Sequence, residues 1–193
     1  MLKKILLLVV FFNFTFAFDT KIFIGDTYIP EDFYKYDKDF KTAARKYNIP
    51  TALLKAIALT ENAAYKHNIT SKNKNQTRDY GLMQINSIHL KRYGISESEI
   101  TKASVNIDIA ARLLHEIIQK HGFSWNAIGR YHSANDKYKN IWLDKVMKNL
   151  VAIVLKDSKD LFIMEKFRAF KLASLLINVD KKRYKIILAC GRY

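Results

Sequence analysis

The chain has 193 residues, 49% of them hydrophobic and 26% charged, which suits one soluble globular domain with its own core. Six glycines and two prolines are few for a many-stranded protein, so a mainly α-helical fold is favoured. The only cysteine is Cys190, which excludes an intrachain disulfide.

The formal net charge of +15 favours polyanionic surroundings, such as nucleic acid, an anionic membrane surface or an acidic wall polymer. The sequence has no base-reading motif and its N-terminus predicts export, so no nucleic-acid partner is expected. An anionic cell envelope is the simplest explanation of the charge.

Residues 1–17 have the pattern of a secretory signal peptide. Lys3 and Lys4 give the positive start, residues 5–12 the apolar run, and Ala17 a small-residue cleavage site. An uncleaved anchor is the alternative, but the apolar run is shorter than the roughly 20 residues that a spanning helix needs. The predicted location is therefore periplasmic or exported.

Residues 18–36 mix aromatic and charged side chains and are predicted to be an irregular or short-strand lead-in. A helix is predicted from Asp37, which is a suitable N-cap. Phe40, Ala44 and Tyr47 follow at helical spacing and mark its buried face.

The next predicted helix begins near Pro50, which suits a first helical turn, and has apolar residues at positions 53, 54, 57 and 58. The next position on that face is Glu61. Burial of an ionised carboxylate is costly, and desolvation raises a carboxyl pKa, which a general acid near neutral pH requires. Glu61 is therefore a candidate acid, although a lone glutamate on a helix more often borders solvent or pairs with lysine.

Residues 62–80 lose this periodicity and become polar, which predicts a loop or a small irregular sheet that walls a cleft. This segment contains a second carboxylate, Asp79, placed on a Gly-containing turn. The alternative role for Asp79 is turn capping. Residues 81–86 are predicted to be a short buried helix or turn.

The second half of the chain is strongly helical in pattern. Residues 104–119 give the clearest helix, with Gly122 as its stop, and Ser124 is predicted to cap a short helix. A long helix is predicted from residues 135–136. Its predicted buried register is Tyr138, Trp142, Val146, Leu150, Ile153 and Val154.

Three segments together resemble a known family: Glu61 at the end of its helix, the run DYGLMQINS at 79–87 and the run AIGRYHS at 127–133. Over residues 37–147 the chain is similar to the soluble lytic transglycosylases of the goose-lysozyme-like group, which cleave peptidoglycan, and most similar to their small secretion-associated members. The resemblance implies a lysozyme-like helical domain at residues 37–156, with a short irregular or small β segment by the cleft.

The resemblance also implies roles for individual residues. Glu61 matches the catalytic acid, and Asn62 stands where the family usually has serine. Tyr131 matches the tyrosine near the catalytic carboxyl, while His132 replaces the usual asparagine and Ser133 a later glycine.

Four residues are predicted to bind substrate. The sugar contacts of the family's Gly-Leu-Met-Gln segment fall on Met83 and Gln84, and Asn86 and His132 are further candidates. The alternatives are structural, because Met83 and Tyr131 also suit a core, and the two amides also suit backbone groups of the turn.

Cleavage of a β-1,4 glycan needs an acid for the leaving oxygen and stabilisation of an oxocarbenium-like centre. In a lytic transglycosylase the resemblance implies that the substrate's N-acetyl group assists and a sugar hydroxyl closes a 1,6-anhydro ring, so Glu61 serves as acid and then base. Asp79 also resembles the second carboxylate of animal-type lysozymes, which hydrolyse with water. The transglycosylase is favoured because the Tyr131 motif belongs to it and the lysozyme disulfides are absent.

A non-catalytic wall-binding or assembly module is the alternative of another class, and the intact Glu61 argues against it. The expected partners are peptidoglycan glycan strands and, by resemblance, an envelope-spanning secretion or pilus machine. No cofactor is expected, and no metal, since no cluster has metal-ligand spacing. The basic C-terminal extension, residues 157–193, suits peripheral contact with an anionic membrane, docking on a partner, or packing on its own domain.

Overall fold

The computed structural model describes residues 28–157, which form helices around one small sheet. The helices are α1 (Asp37–Tyr47), α2 (Thr51–Glu61), α3 (Ile88–Tyr93), α4 (Glu97–Ile100), α5 (Ala103–His121), α6 (Trp125–Gly129) and α7 (Asp136–Asp157). The strands are β1 (Thr70–Lys72), β2 (Arg78–Tyr80) and β3 (Ile85–Asn86). The predicted mainly α class with a small β segment is confirmed.

Helix boundaries follow local chemistry. Asn48 adopts the left-handed conformation with φ 51° and ends α1, and Pro50 precedes the first residue of α2. Ser96 and Glu99 form a reciprocal capping box on α4, and the Ser124 hydroxyl accepts from a backbone N–H at the start of α6.

The lead-in contributes to the domain more than its sequence indicates. Residues Glu31–Tyr34 form a single 3-10 turn where an irregular or short-strand segment was predicted, and Phe33 is fully buried. The centre of the Phe33 ring lies 5.2 Å from that of the Tyr65 ring. This packing explains why an aromatic residue occurs in the lead-in, before the first predicted helix.

The central helix of the domain is α2. Every residue from 53 to 59 is buried, and α2 packs along α7 while α1 packs along α5. A helix surrounded on most sides is apolar around most of its circumference. Glu61 is the last residue of this helix, so its carboxyl emerges at the edge of the core.

Lys55 carries a charge into the buried part of α2. Its side chain is 3% exposed, and Nζ donates to Oδ1 of Asp37 at 2.7 Å. The same ammonium lies 4.2 Å from the ring centre of Phe33 and 4.6 Å from that of Tyr34. Lys55 therefore fastens the 3-10 turn and α1 to the central helix.

We expect Asp37→Asn to lower the free energy of unfolding by about 2 kcal/mol, because it leaves the Lys55 ammonium buried without a counter-charge. Urea unfolding followed by circular dichroism measures this loss. Asp39→Asn is the matched control, since it removes the same charge from the first turn of α1. Equal losses in both variants would mean that the ion pair contributes little.

The buried face of α7 differs from its predicted register at one end. Trp142, Val146, Leu150 and Ile153 are buried as predicted, but Tyr138 is 58% exposed and Val154 is only partly buried. The inward position of the first turn is occupied by Lys139 instead, at 3% exposure.

The reason for this difference lies on α6. A Cβ at Gly129 would come within 2.4 Å of Cγ of Lys139, so only glycine leaves room for the lysine stem. The Lys139 ammonium is held by Asn126 and Asp136. Its buried charge is therefore paired, as burial requires.

The sheet is antiparallel in the order β1-β2-β3. The middle strand places Asp79 opposite Ser71 on one side and Asn86 on the other. Asp79 therefore lies in a strand, not on the predicted turn, and the turn follows it at residues 81–84. The predicted loop or small irregular sheet at residues 62–80 is this β1-β2 hairpin with its flanking loops.

The predicted signal peptide, most of the lead-in and the C-terminal extension from residue 158 lie outside the described residues, and these domain boundaries stay predictions. Across residues 28–157 no helix combines the length and the apolar character needed to cross a membrane.

Candidate active site

The candidate site is centred on Glu61, whose side chain is 14% exposed at the end of α2. The indole Nε1–H of Trp142, on α7, donates to Oε1 of Glu61 at 2.8 Å. Nδ1 of His132 lies 3.7 Å from the same oxygen. The hydrogen bond from Trp142 thus orients the carboxyl from one side, and this donor lies 81 residues further along the chain.

Three rings form the wall beside this carboxyl. The ring of His132 stacks on Trp142 with a centroid distance of 5.5 Å and an interplanar angle of 4°. The ring of Tyr131 lies 6.0 Å from the same indole at 19°. The consecutive residues 131 and 132, just after α6, therefore both pack on Trp142.

Tyr131 supports the site through a backbone group. Its hydroxyl donates to the carbonyl oxygen of Met83 at 2.9 Å, not to Glu61. Burial raises the pKa of Tyr131 well above its usual range, and the negative charges of Glu61 and Asp79 raise it further. The phenol therefore stays neutral, and it links the turn at residues 81–84 to the segment that follows α6.

Asp79 is held on both carboxylate oxygens. Asn86 Nδ2 donates to Oδ1 at 2.7 Å, and Asn73 Nδ2 donates to Oδ2 at 2.9 Å. The Asn86 amide also donates to Thr77 and accepts from the backbone N–H of Ile88. The hairpin thus fixes the orientation of a second carboxylate at the side of the site.

The turn between β2 and β3 is built on Asn106 of α5. This fully buried amide accepts from the Met83 N–H at 2.7 Å and donates to the carbonyls of Tyr80 and Ile100 at 2.9 and 3.0 Å. Gly81 has φ +74°, and a Cβ there would lie 2.7 Å from the Asn106 amide nitrogen. Glycine is therefore required by both conformation and space.

The turn residues predicted to bind sugar already have partners within the turn. The Met83 side chain is fully buried and packs in the core, and its predicted sugar contact stays a prediction. Gln84, at φ 48°, donates to the carbonyl of Gly81 and accepts from Ser71. Gln84 and Asn86 remain partly exposed, and their substrate contacts stay predictions.

Trp142 is a site residue that the sequence did not indicate, because the helical register of α7 explained it as core. A signal was available, since a buried indole N–H needs an acceptor, and a carboxylate near an apolar face needs a donor. The partners of the Asn106 amide lie outside its own helix, on Tyr80 and Met83 around the β2-β3 turn and on Ile100 of α4.

Asn62 follows the catalytic candidate directly and is buried. Its side-chain amide donates to the carbonyl of Lys66 at 2.7 Å and reaches that of Gly81 at 3.5 Å. It ends α2 and joins it to the turn, so the family's usual serine is replaced here by a longer donor. Among residues 28–157 no group of three or more His, Cys, Asp or Glu side chains is arranged to hold a metal ion.

The fold and this site define a lysozyme-like helical domain with a largely buried glutamate at the end of its central helix. The family model described as the transglycosylase SLT domain matches residues 38–149. The match covers more than half of the chain, which therefore belongs to the SLT transglycosylase domain family.

Curated relatives match the same part of the chain. Protein IpgF of Shigella flexneri is 39% identical over 101 residues, which cover 50% of this chain and 66% of that protein. Invasion protein IagB of Salmonella typhi is 38% identical over 95 residues, covering 47% and 59%. The peptidoglycan-binding-like protein of Escherichia coli O157:H7 is 35% identical over 104 residues, covering 49% and 62%. The matches thus span about two thirds or less of these relatives.

Proposed function

We propose that this protein is an endo-acting peptidoglycan lytic transglycosylase that cleaves the β-1,4 bond between N-acetylmuramic acid and N-acetylglucosamine and leaves a 1,6-anhydro end. One observation carries the proposal: Glu61 is a largely buried carboxyl at the edge of the core, with one oxygen held at 2.8 Å by an indole N–H. Membership of the SLT family supports the same chemistry.

The proposed reaction uses the Glu61 carboxyl twice. The protonated carboxyl gives its proton to the glycosidic oxygen as the bond to the sugar C1 breaks, and the electron pair of that bond stays on the leaving oxygen. The substrate's N-acetyl group stabilises the developing positive charge. The Glu61 carboxylate then takes the proton of the sugar 6-hydroxyl as its oxygen bonds to C1, which closes the anhydro ring and restores the acid.

A muramidase that hydrolyses with Glu61 and Asp79 is the second candidate. The observation in its favour is that amide donors fix both carboxylate oxygens of Asp79. The negative charge of Asp79 also contributes to the raised pKa of Tyr131. Two oriented carboxylates are what a lysozyme-type reaction requires.

Mass spectrometry of the products from purified murein distinguishes these reactions. The transglycosylase forms 1,6-anhydro ends and consumes no water, whereas a muramidase forms reducing ends and incorporates oxygen from H₂¹⁸O. Reducing ends that carry ¹⁸O as the main product would overturn the proposed transglycosylase and support the muramidase.

We expect Asp79→Asn to lower murein clearing by less than about tenfold, since the transglycosylase needs one carboxyl only. Asparagine offers one acceptor oxygen, so one of the two amide donors loses its partner, and a small structural loss is expected. Turbidity clearing measures the rate, and Asn73→Ala is the control for that structural part. A loss of about a hundredfold or more, equal to that of Glu61→Gln, favours the two-carboxylate hydrolase.

We further propose that the protein acts in the periplasm or another exported compartment and opens the wall locally for an envelope-spanning machine. The name of the relative IagB, an invasion protein, and the net charge of +15, which suits an acidic wall, support this role. Cell fractionation with an antibody tests the compartment, and retention in the cytoplasm contradicts it.

A non-catalytic wall-binding module is kept as a third candidate, because one relative is named as peptidoglycan-binding-like. A pull-down on murein combined with analysis of the supernatant distinguishes the two. Tight binding without soluble products supports the binding module, while release of anhydro fragments supports the enzyme.

A further inference from the structure

The two oxygens of the Glu61 carboxyl are not equivalent in this structure. Oε1 accepts the Trp142 N–H at 2.8 Å and is also the oxygen nearest to Nδ1 of His132, at 3.7 Å. An indole nitrogen can only donate, so the oxygen that faces it must be an acceptor. In a protonated carboxyl the acceptor is the carbonyl oxygen, which leaves the proton for the other oxygen.

We propose that Trp142 is a positioning residue, whose N–H reserves Oε1 of Glu61 as an acceptor and thereby places the reacting proton on Oε2. This inference rests on the proposed glycan cleavage with Glu61 as the acid. The proton passes from Oε2 to the glycosidic oxygen, and Oε2 later accepts the proton of the sugar 6-hydroxyl, so the same oxygen serves both steps.

The geometry around Trp142 suits this role. The indole is 4% exposed, which keeps water from competing for its N–H. The rings of His132 and Tyr131 both stack on the Trp142 indole, so rotation of the indole would break two ring contacts. The bond also strengthens as Glu61 becomes anionic, because a hydrogen bond to a carboxylate is stronger than one to a neutral acid.

The bond must therefore affect pH dependence as well as rate. The titratable groups beside Glu61 are His132 and Tyr131, the charge of Asp79 acts on Tyr131, and on α7 the buried Lys139 is paired with Asn126 and Asp136. Tyr131 stays neutral in the working range because of its raised pKa. Removal of the indole donor withdraws stabilisation from the Glu61 anion, so the acid keeps its proton to higher pH.

Trp142→Phe tests this in activity, since phenylalanine removes the N–H donor and keeps an aromatic ring for stacking, and the volume lost with the smaller ring is matched in the control variant. We expect kcat on soluble murein fragments to fall about ten- to a hundredfold with little change in KM, the size of one hydrogen bond to a charged group. The descending limb of the kcat/KM profile should move to higher pH. Trp125→Phe makes the same chemical change on α6 and serves as the control. Equal rates and equal pH profiles in the two variants would overturn the proposal.

A second measurement does not depend on activity. The chain has two tryptophans, so Trp125→Phe leaves Trp142 as the single indole emitter. With His132→Asn added, to remove titration of the stacked imidazole, Trp142 emission should still change with pH, because a nearby acid that gains or loses its proton alters indole emission. Adding Glu61→Gln should abolish this change. An emission titration that is the same with and without Glu61→Gln would contradict the contact itself.

The two readouts separate the possible failures. If wild-type protein releases no murein products while the emission titration follows Glu61, then the proposed function fails and the contact stands without a catalytic role, which overturns the positioning proposal as well. If murein is cleaved and Trp142→Phe behaves like its control, only the positioning proposal fails.

Discussion

Glu61→Gln is expected to lower the rate of murein cleavage about a thousandfold or more, while the protein keeps its fold. Glutamine has the size of glutamate and its amide oxygen still accepts the Trp142 N–H, which is donated at 2.8 Å to Oε1. It has no proton to give at the working pH and cannot take one back, so both steps of the proposed reaction lose their acid–base group. Release of soluble fragments, measured by chromatography, gives the rate.

The matched control for this variant is Glu97→Gln. Glu97 is an exposed carboxyl on α4 whose nearest cation, Arg78, lies 3.6 Å away, so the substitution removes the same charge outside the site. The control should clear murein at the wild-type rate. Clearing by Glu61→Gln within about tenfold of wild type, with its melting temperature unchanged, would remove Glu61 from the mechanism and with it the proposed function.

Asn106→Leu is expected to lower the free energy of unfolding by about 3–5 kcal/mol, the largest stability effect that we predict. Leucine has the same branching and number of side-chain heavy atoms but pairs with none of the three backbone groups that the Asn106 amide satisfies, those of Met83, Tyr80 and Ile100. Each buried backbone group left without a partner costs about 1–3 kcal/mol. Close approach at Gly81 leaves the branched side chain little room to relax.

Urea denaturation measures this loss, with Gln119→Leu as the control. Gln119 is an exposed amide on the same helix, so it tests the change of residue type without the buried bonds. We expect the control to stay within about 0.5 kcal/mol of wild type. A loss of less than about 1 kcal/mol in Asn106→Leu would show that the turn is held by other contacts.

The predictions for Glu61→Gln and Asn106→Leu concern parts of one site that are linked through Met83 and Tyr131. The Met83 carbonyl accepts the Tyr131 hydroxyl, and the Met83 N–H binds Asn106, so a change at Asn106 reaches the rings beside Glu61. An Asn106 variant that still folds should therefore also clear murein more slowly. Glu61→Gln should show the opposite pattern, with activity lost and stability kept.

Local sequence signals predicted most of the secondary structure, because those signals act within a few residues. Asn48 and Pro50 separate α1 from α2, and Ser124 caps α6, each through backbone groups next to it. Of the two alternatives predicted for the lead-in, irregular or short-strand, residues 31–34 form a 3-10 turn, where Phe33 turns inward to contact Tyr65. That contact joins two segments far apart in sequence, and no local pattern encodes it.

The register of α7 shows a similar limit. Its periodicity correctly predicted Trp142, Val146, Leu150 and Ile153 as buried, and failed for Tyr138 because a lysine fills the space left by Gly129. Tyrosine is more apolar than lysine, so the pattern predicted Tyr138 to be buried. The space available on α6 and the pairing of the Lys139 ammonium instead place the lysine inward.

The sequence by itself determined that Glu61 ends an apolar helix, that a polar segment with Asp79 follows, and that a tyrosine and a histidine come later in the chain. Only the tertiary structure decided what each one touches. In the folded chain Trp142, 81 residues after Glu61, donates a hydrogen bond to the Glu61 carboxyl. Tyr131 donates to a backbone carbonyl, and Asp79 accepts from two asparagines. The physical reason is that burying a polar group without a partner costs free energy, and the partner within reach is set by how the helices and the sheet pack.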